Sequence, residues 1–224
     1  VGSFARGEGG FVERAGKLVP HNDLDLVVVV KEGARALREP LVKLGHELTR
    51  AAGVDVDLWP IDQATLADPP KTLFWLDVAL GGGRVLHGPS ELLPLGRVRA
   101  SEVPLDEAAR LLANRATGIA LSRLAGEAEE PMRFHRHVHK AILACGDALL
   151  LERGLYAATI TQRNRQLALL AEREPELSAL SGAYDDAGLF RLRPDRWSEP
   201  EHPRAWRELR IAMVRGFHLR FEAR

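Results

Sequence analysis

Seven residues, Leu24-Asp25-Leu26-Val27-Val28-Val29-Val30, form an almost purely apolar, β-branched run with a carboxylate at its second position. Such a run is the pattern of a strand covered on both faces, and it predicts a central strand of an α/β layer. Leu37, Leu41, Leu44 and Leu48 follow at spacings of four, three and four. This single apolar stripe predicts a helix of about four turns, with Gly53 as its C-cap. Val54-Asp55-Val56-Asp57-Leu58-Trp59 then alternates, placing its carboxylates on one face and its valines on the other. The unit predicted is strand, helix, strand.

After Pro60 the pattern gives a short connection, a helix over residues 72–80, a break at Gly81-Gly82-Gly83 and a short strand at 84–86. Beyond Leu105 the strand signals vanish. Leu105, Ala109, Leu112, Ala116 and Ile119, then Val138, Ile142, Cys145 and Leu149, keep helical spacing and predict a bundle. Residues 155–172 and 206–221 predict two more helices, separated by a partly looped stretch over 175–203 that contains Pro, Gly and Asp. The fold class expected is therefore α/β (α+β) with a mixed sheet over residues 1–104, followed by an all-α bundle over 105–224.

Charge and cysteine content exclude several classes of function. The 31 basic and 31 acidic side chains cancel, so there is no global positive field to hold a long nucleic acid by counterion release. Cys145 is the only cysteine, which rules out a disulfide framework and a thiolate zinc cluster and points to a reducing, cytoplasmic setting. No stretch approaches the roughly 18 uninterrupted apolar residues of a membrane span, so no membrane partner is expected. The chain opens at Val1-Gly2, inside what reads as a strand end, and residues before it are expected to be missing.

The chemistry concentrates at Asp23 and Asp25. Strand alternation turns both carboxylates to one side of the strand mouth, where mutual repulsion would keep one protonated unless a cation intervened. Hard oxygen ligands without His or Cys favour magnesium or manganese over zinc. The next strand offers Asp55 or Asp57 as a third carboxylate, and parity allows either. Three carboxylates around two metals suit in-line phosphoryl or nucleotidyl transfer. Gly2-Ser3 supplies a complementary turn, since a glycine lets backbone N–H groups approach phosphate oxygens and the Ser hydroxyl donates one more bond. Arg6 adds a candidate bidentate phosphate contact.

Gly2-Ser3-Phe4-Ala5-Arg6-Gly7-Glu8, Asn22-Asp23-Leu24-Asp25-Leu26 and Val56-Asp57-Leu58 together resemble the Gly-Ser, Asp-x-Asp and distal Asp signature of the DNA polymerase β-like nucleotidyltransferases. The resemblance covers about the first hundred residues. It implies that Asp23 and Asp25 bind two Mg2+ ions, with Mn2+ as a substitute. Asp57, preferred to Asp55 because Val56-Asp57-Leu58-Trp59-Pro60-Ile61-Asp62 is similar to the family's strand and turn, completes the set and helps to activate the attacking hydroxyl. Gly2-Ser3, with Arg6, grips a nucleoside triphosphate. The reaction implied moves a nucleoside monophosphate, AMP from ATP, onto an acceptor hydroxyl.

The two-part layout is similar to that of aminoglycoside-type enzymes, with a helical half that closes over the substrate and selects the acceptor. The acceptor is a small molecule or a macromolecule, and a homodimer is a further expectation. The alternative is a binding or regulatory protein of the same fold, a toxin–antitoxin-like partner without turnover. Nineteen residues separate Ser3 from Asp23, and Gly9-Gly10 with Gly16-Lys17 predict an inserted hairpin or flap there.

Other polar residues have plainer readings. Arg133-Phe134-His135-Arg136-His137-Val138-His139 resembles the Arg and His motif of HEPN-type ribonucleases, but on a helix these residues spread around it and predict a solvated basic face. Lys140 is expected to face solvent. Asp147, inside an apolar run, is expected either to face a cleft or to be paired in the bundle. Arg163 and Arg165 are expected at an exposed helix edge, and Trp59 and Trp75 in packing.

Overall fold

The computed structural model describes residues 1–93, 96–124 and 131–194. The protein is a mixed α/β chain with little sheet and many helices, and it divides into two compact units, Val1–Val103 and Pro104–Arg224. Among the described residues no helix is long and apolar enough to cross a membrane.

The first unit begins with a four-residue helix, α1 (Gly2–Ala5), and a hairpin of β1 (Phe11–Arg14) and β2 (Lys17–Pro20). Ala15 and Gly16 turn the hairpin with φ of 50° and 74°, the positive pair that a two-residue connection needs to match strand twist. Strand β3 (Leu24–Val30) leads through a 3-10 turn, Ala34–Leu37, into α2 (Arg38–Ala52), which Gly53 caps in the left-handed region at φ 68°. Thr49 Oγ1 accepts from the Val56 N–H at 2.9 Å, fixing where β4 (Val56–Asp62) starts. Strands β3 and β4 pair in parallel, with Leu24 opposite Val56 and Asp25 opposite Asp57.

Helix α2 crosses between them as expected, but the sheet differs from the expectation. The hairpin and the parallel pair are two separate two-stranded sheets rather than one mixed sheet. Every residue of β3 is half-buried instead of covered on both faces, because a two-stranded sheet leaves the strand one neighbour. Strand β4 also runs through Pro60, which lies opposite Val28. A strand paired on one side only tolerates the missing N–H. The leucine stripe of α2 stays partly outside, with Leu44 at 41% exposure. The helix instead meets β4 at Gly45, where a Cβ would stand 2.8 Å from the Val56 carbonyl.

After α3 (Gln63–Ala67), Thr72 caps α4 (Leu73–Asp77) by accepting from the Trp75 N–H, and the chain continues into a π-helical turn, Val78–Gly82. The buried centre of this unit lies here, in Trp75, Leu76, Val78 and Ala79, with Val56, Leu66 and Val98 also buried. No strand forms at residues 84–86, which follow the Gly81-Gly82-Gly83 break as irregular chain.

The second unit consists, among the described residues, of α5 (Leu105–Leu124), α6 (Pro131–Glu152), α7 (Ile160–Arg173) and α8 (Ser178–Leu192). Helix α8 occupies part of the stretch expected to be looped, while the helix predicted over 206–221 lies outside the described residues. Val138, Ile142, Leu143, Leu149, Ile160 and Leu167 pack with Leu180, Ala183, Tyr184 and Ala187. Gly146 permits that packing, since a Cβ there would come within 2.3 Å of the Tyr184 ring.

Candidate metal centre

Parallel pairing of β3 with β4 brings three carboxylates to one end of the sheet. Asp25 and Asp57 are register partners, Asp23 precedes β3 by one residue, and ligand oxygens of all three lie within 4.8 Å of one another. Asp23 and Asp25 are half-buried and Asp57 is exposed. Asp55 does not join them. It lies before β4, exposed, and its backbone carbonyl accepts from the Leu24 N–H at 2.8 Å.

Helix α1 abuts this end of the sheet. Gly2 has φ 77°, and a Cβ at that position would lie 2.3 Å from Asp25 Oδ2, so only glycine brings the turn this close to the carboxylate. The Val1 nitrogen donates to the Asp25 carbonyl at 2.9 Å. Ser3 is 2% exposed, and its Oγ has no hydrogen-bond partner among the described residues. An unspent buried hydroxyl costs free energy unless a ligand takes its bond.

Arg6, expected to contact phosphate, meets two carboxylates of the chain. Its Nε lies 3.2 Å from Glu8 Oε2 and its Nη1 3.0 Å from Asp77 Oδ2, with the side chain 7% exposed. A buried guanidinium needs carboxylates to offset its desolvation, and both neighbours are within reach. Glu8 also donates its backbone N–H to the Ser3 carbonyl at 2.8 Å. Neither Glu8 nor Asp77 entered the sequence reading as a site residue. The signal available was a lone acid in each of two stretches, Arg6-Gly7-Glu8 and Phe74-Trp75-Leu76-Asp77, where an unpaired charge would be costly.

In chain order the hairpin falls between the turn and Asp23. Buried Asn22 accepts the Gly10 N–H on its Oδ1, and the His21 N–H donates to the Gly10 carbonyl at 2.8 Å. Both hairpin ends are thereby tied beside Asp23. Phe4 and Phe11 meet edge to face at 5.6 Å under the hairpin base.

In the second unit the residues singled out from sequence serve the fold. Arg163, expected at an exposed edge, is 4% exposed; its Nη1 lies 3.2 Å from Asp147 Oδ2 and bonds the Tyr156 hydroxyl. Asp147 is thus paired in the bundle and also accepts from the Tyr184 hydroxyl at 2.7 Å. Arg165 is exposed on α7, and Lys140 is half-buried rather than facing solvent.

His139, expected on a solvated face, is 4% exposed and stacks on Phe190 at 4.1 Å. Its Nδ1 lies 2.7 Å from the His135 carbonyl, and burial pushes its pKa down to about 4. A neutral ring with its Nδ1–H on a carbonyl is a packed core histidine. The side chains of Arg133 and Phe134 lie outside the described residues. Trp75 is buried, and Trp59 meets Phe74 edge to face at 5.5 Å, both as packing residues.

Comparison of the chain with protein-family models, with curated proteins and with solved structures gives no match.

Proposed function

We propose that this chain is a polymerase β-like nucleotidyltransferase that moves a nucleoside monophosphate, AMP from ATP, onto an acceptor hydroxyl. The observation that carries the reading is the meeting of Asp23, Asp25 and Asp57 within 4.8 Å beside a Gly2 turn that a Cβ would close. Three oxygen ligands with no nitrogen or sulfur donor fit Mg2+ or Mn2+. Asp23 and Asp25 would hold the ions, with Asp57 as the third carboxylate. When bound, Mg2+ offsets the triphosphate charge and polarises the α-phosphoryl group.

The chain's own residues do the rest. Asp57 orients the acceptor hydroxyl and takes its proton as the new P–O bond forms, while the bond to the leaving pyrophosphate breaks. Backbone N–H groups of the Gly2-Ser3 turn and the unspent Ser3 hydroxyl supply donors for phosphate oxygens. Calorimetric titration with Mg·ATP tests the reading: binding disappears when Asp23→Ala and Asp25→Ala are combined, and unchanged binding refutes it.

One observation favours a second reading, a protein of this fold that binds without turnover. The arginine expected on phosphate is committed to Glu8 and Asp77. Release of labelled pyrophosphate from ATP, measured with a panel of hydroxyl acceptors, separates the two.

A further inference from the structure

Helix α1 has four residues, too few to hold its own conformation, so what it touches must position it. On one side stands β3, through the Val1 bond to the Asp25 carbonyl and the Gly2 approach to Asp25 Oδ2. On another stands the junction of α4 with the π-helical turn. There Arg6 Nη1 reaches Asp77, 71 residues on in the chain. The junction is built for a close approach. A Cβ on Gly82 would lie 2.6 Å from the Asp77 carbonyl and 3.4 Å from Arg6 Nη1. Glu8 holds Arg6 Nε while its backbone N–H closes the turn on Ser3. One guanidinium thus ties the turn to a buried helix end, with carboxylates on two of its nitrogens.

We infer that the Arg6–Asp77 ion pair, braced by Glu8, sets the position of the Gly2-Ser3 turn over Asp25, and that Asp77 is a positioning residue for triphosphate binding. The inference rests on the reading of the three aspartates as a metal site. Asp77 acts through Arg6 and belongs to no ligand set. Asp25 and Asp57 are held by the β3–β4 pairing and Asp23 directly precedes β3, and the ion pair touches none of them, so metal affinity and triphosphate affinity separate. Loss of an ion pair that served stability alone would lower the unfolding midpoint and leave both affinities of the folded protein as they were.

The test uses the full chain at a temperature well below each variant's unfolding midpoint. Mn2+ binding is followed by electron paramagnetic resonance, and Mg·ATP binding by calorimetry. Asp77→Asn keeps the shape and removes the charge. It should leave the Mn2+ dissociation constant unchanged and weaken Mg·ATP by about tenfold, the scale of one charge-assisted hydrogen bond. Asp77→Glu should recover part of that loss.

Unaltered Mg·ATP binding in Asp77→Asn, with the unmodified protein binding both probes, overturns the inference alone. Equal losses of Mn2+ and Mg·ATP overturn it too, since the ion pair would then act on the aspartates. An unmodified protein that binds neither probe refutes the metal-site reading and the inference with it. Should Asp77→Asn fail to fold, Glu8→Gln must show the same split, weaker Mg·ATP with unaltered Mn2+, and an unaltered pair of affinities overturns the inference.

Discussion

Replacing Gly2 by Ala separates the two reasons a glycine can be required. The first is conformational: φ is 77° at Gly2, and an L-residue held in that region costs about 1–2 kcal/mol. The second is steric. The new Cβ would lie 2.3 Å from Asp25 Oδ2 and 3.2 Å from its Cγ, and to regain ordinary contact near about 3.5 Å the carboxylate must retreat by roughly 1 Å. An off-rotamer Asp25 adds about 1 kcal/mol, for a total near 2–3 kcal/mol.

Gly7 provides the control, because its φ of 74° is almost the same and nothing lies within 4 Å of its virtual Cβ. Gly7→Ala should therefore cost the conformational part alone, about 1–2 kcal/mol. Urea denaturation measures both costs. Mn2+ titration then reads the difference that matters: Gly2→Ala should weaken the ion by at least about tenfold through displacement of one ligand in three, while Gly7→Ala leaves it unchanged. Equal Mn2+ affinities in the two variants would refute the claim that Gly2 is there for Asp25.

The second unit yields further expectations. Arg163→Ala strands Asp147, 14% exposed, without its guanidinium, and should lower stability by about 3–5 kcal/mol in urea denaturation. Tyr184→Phe removes one hydroxyl bond to the same carboxylate and should cost about 1–2 kcal/mol in the same assay. Gly146→Ala drives a methyl against the Tyr184 ring and should cost about 1–3 kcal/mol, read as a lowered melting temperature. His139 has a folded pKa of about 4, below its ordinary 6.5 because of burial. Its contribution to stability is complete above pH 6.5 and is lost as pH falls from there to about 4, by roughly 3 kcal/mol in all. The urea midpoint followed over that range should flatten in His139→Gln.

The aspartate cluster was legible because strand geometry is local. A period of two fixes which side Asp25 faces, and the spacing to Gly53 anticipates where the next strand starts. Strand parity left Asp55 and Asp57 equal and only the resemblance preferred Asp57; in the structure the Thr49 bond starts β4 at Val56 and leaves Asp55 before it. The hairpin was legible from its glycines. Helix α8 was hidden by its composition. Pro175 and Gly182 read as breakers, yet Pro175 begins a 3-10 turn, and Gly188 gives room to Ile160 Cγ2, 3.0 Å from where its Cβ would be. Burial of Arg163 and His139 was illegible for a related reason. What pays for it is a partner on another helix or a ring from α8, and no spacing along the chain encodes those contacts.

The chain's handling of charge argues for the aspartate site more strongly than the triplet does. Where a charge is buried, a partner of opposite sign is at hand: Arg163 meets Asp147, and Arg6 meets both Glu8 and Asp77. Half-buried Asp23 departs from that pattern, and exposed Asp57 stands beside it. Neither forms an ion pair with Lys or Arg among the described residues, although Arg6 sits in the turn that abuts Asp25 and spends its nitrogens on two other carboxylates. Rotating Arg6 toward the aspartates would relieve their repulsion, at the expense of the contact that ties the turn to α4. A sequence that keeps this arginine on two other carboxylates leaves the negative potential of Asp23 and Asp57 available to a cation from solution. The cation that fits all-oxygen donors is small, divalent and hard.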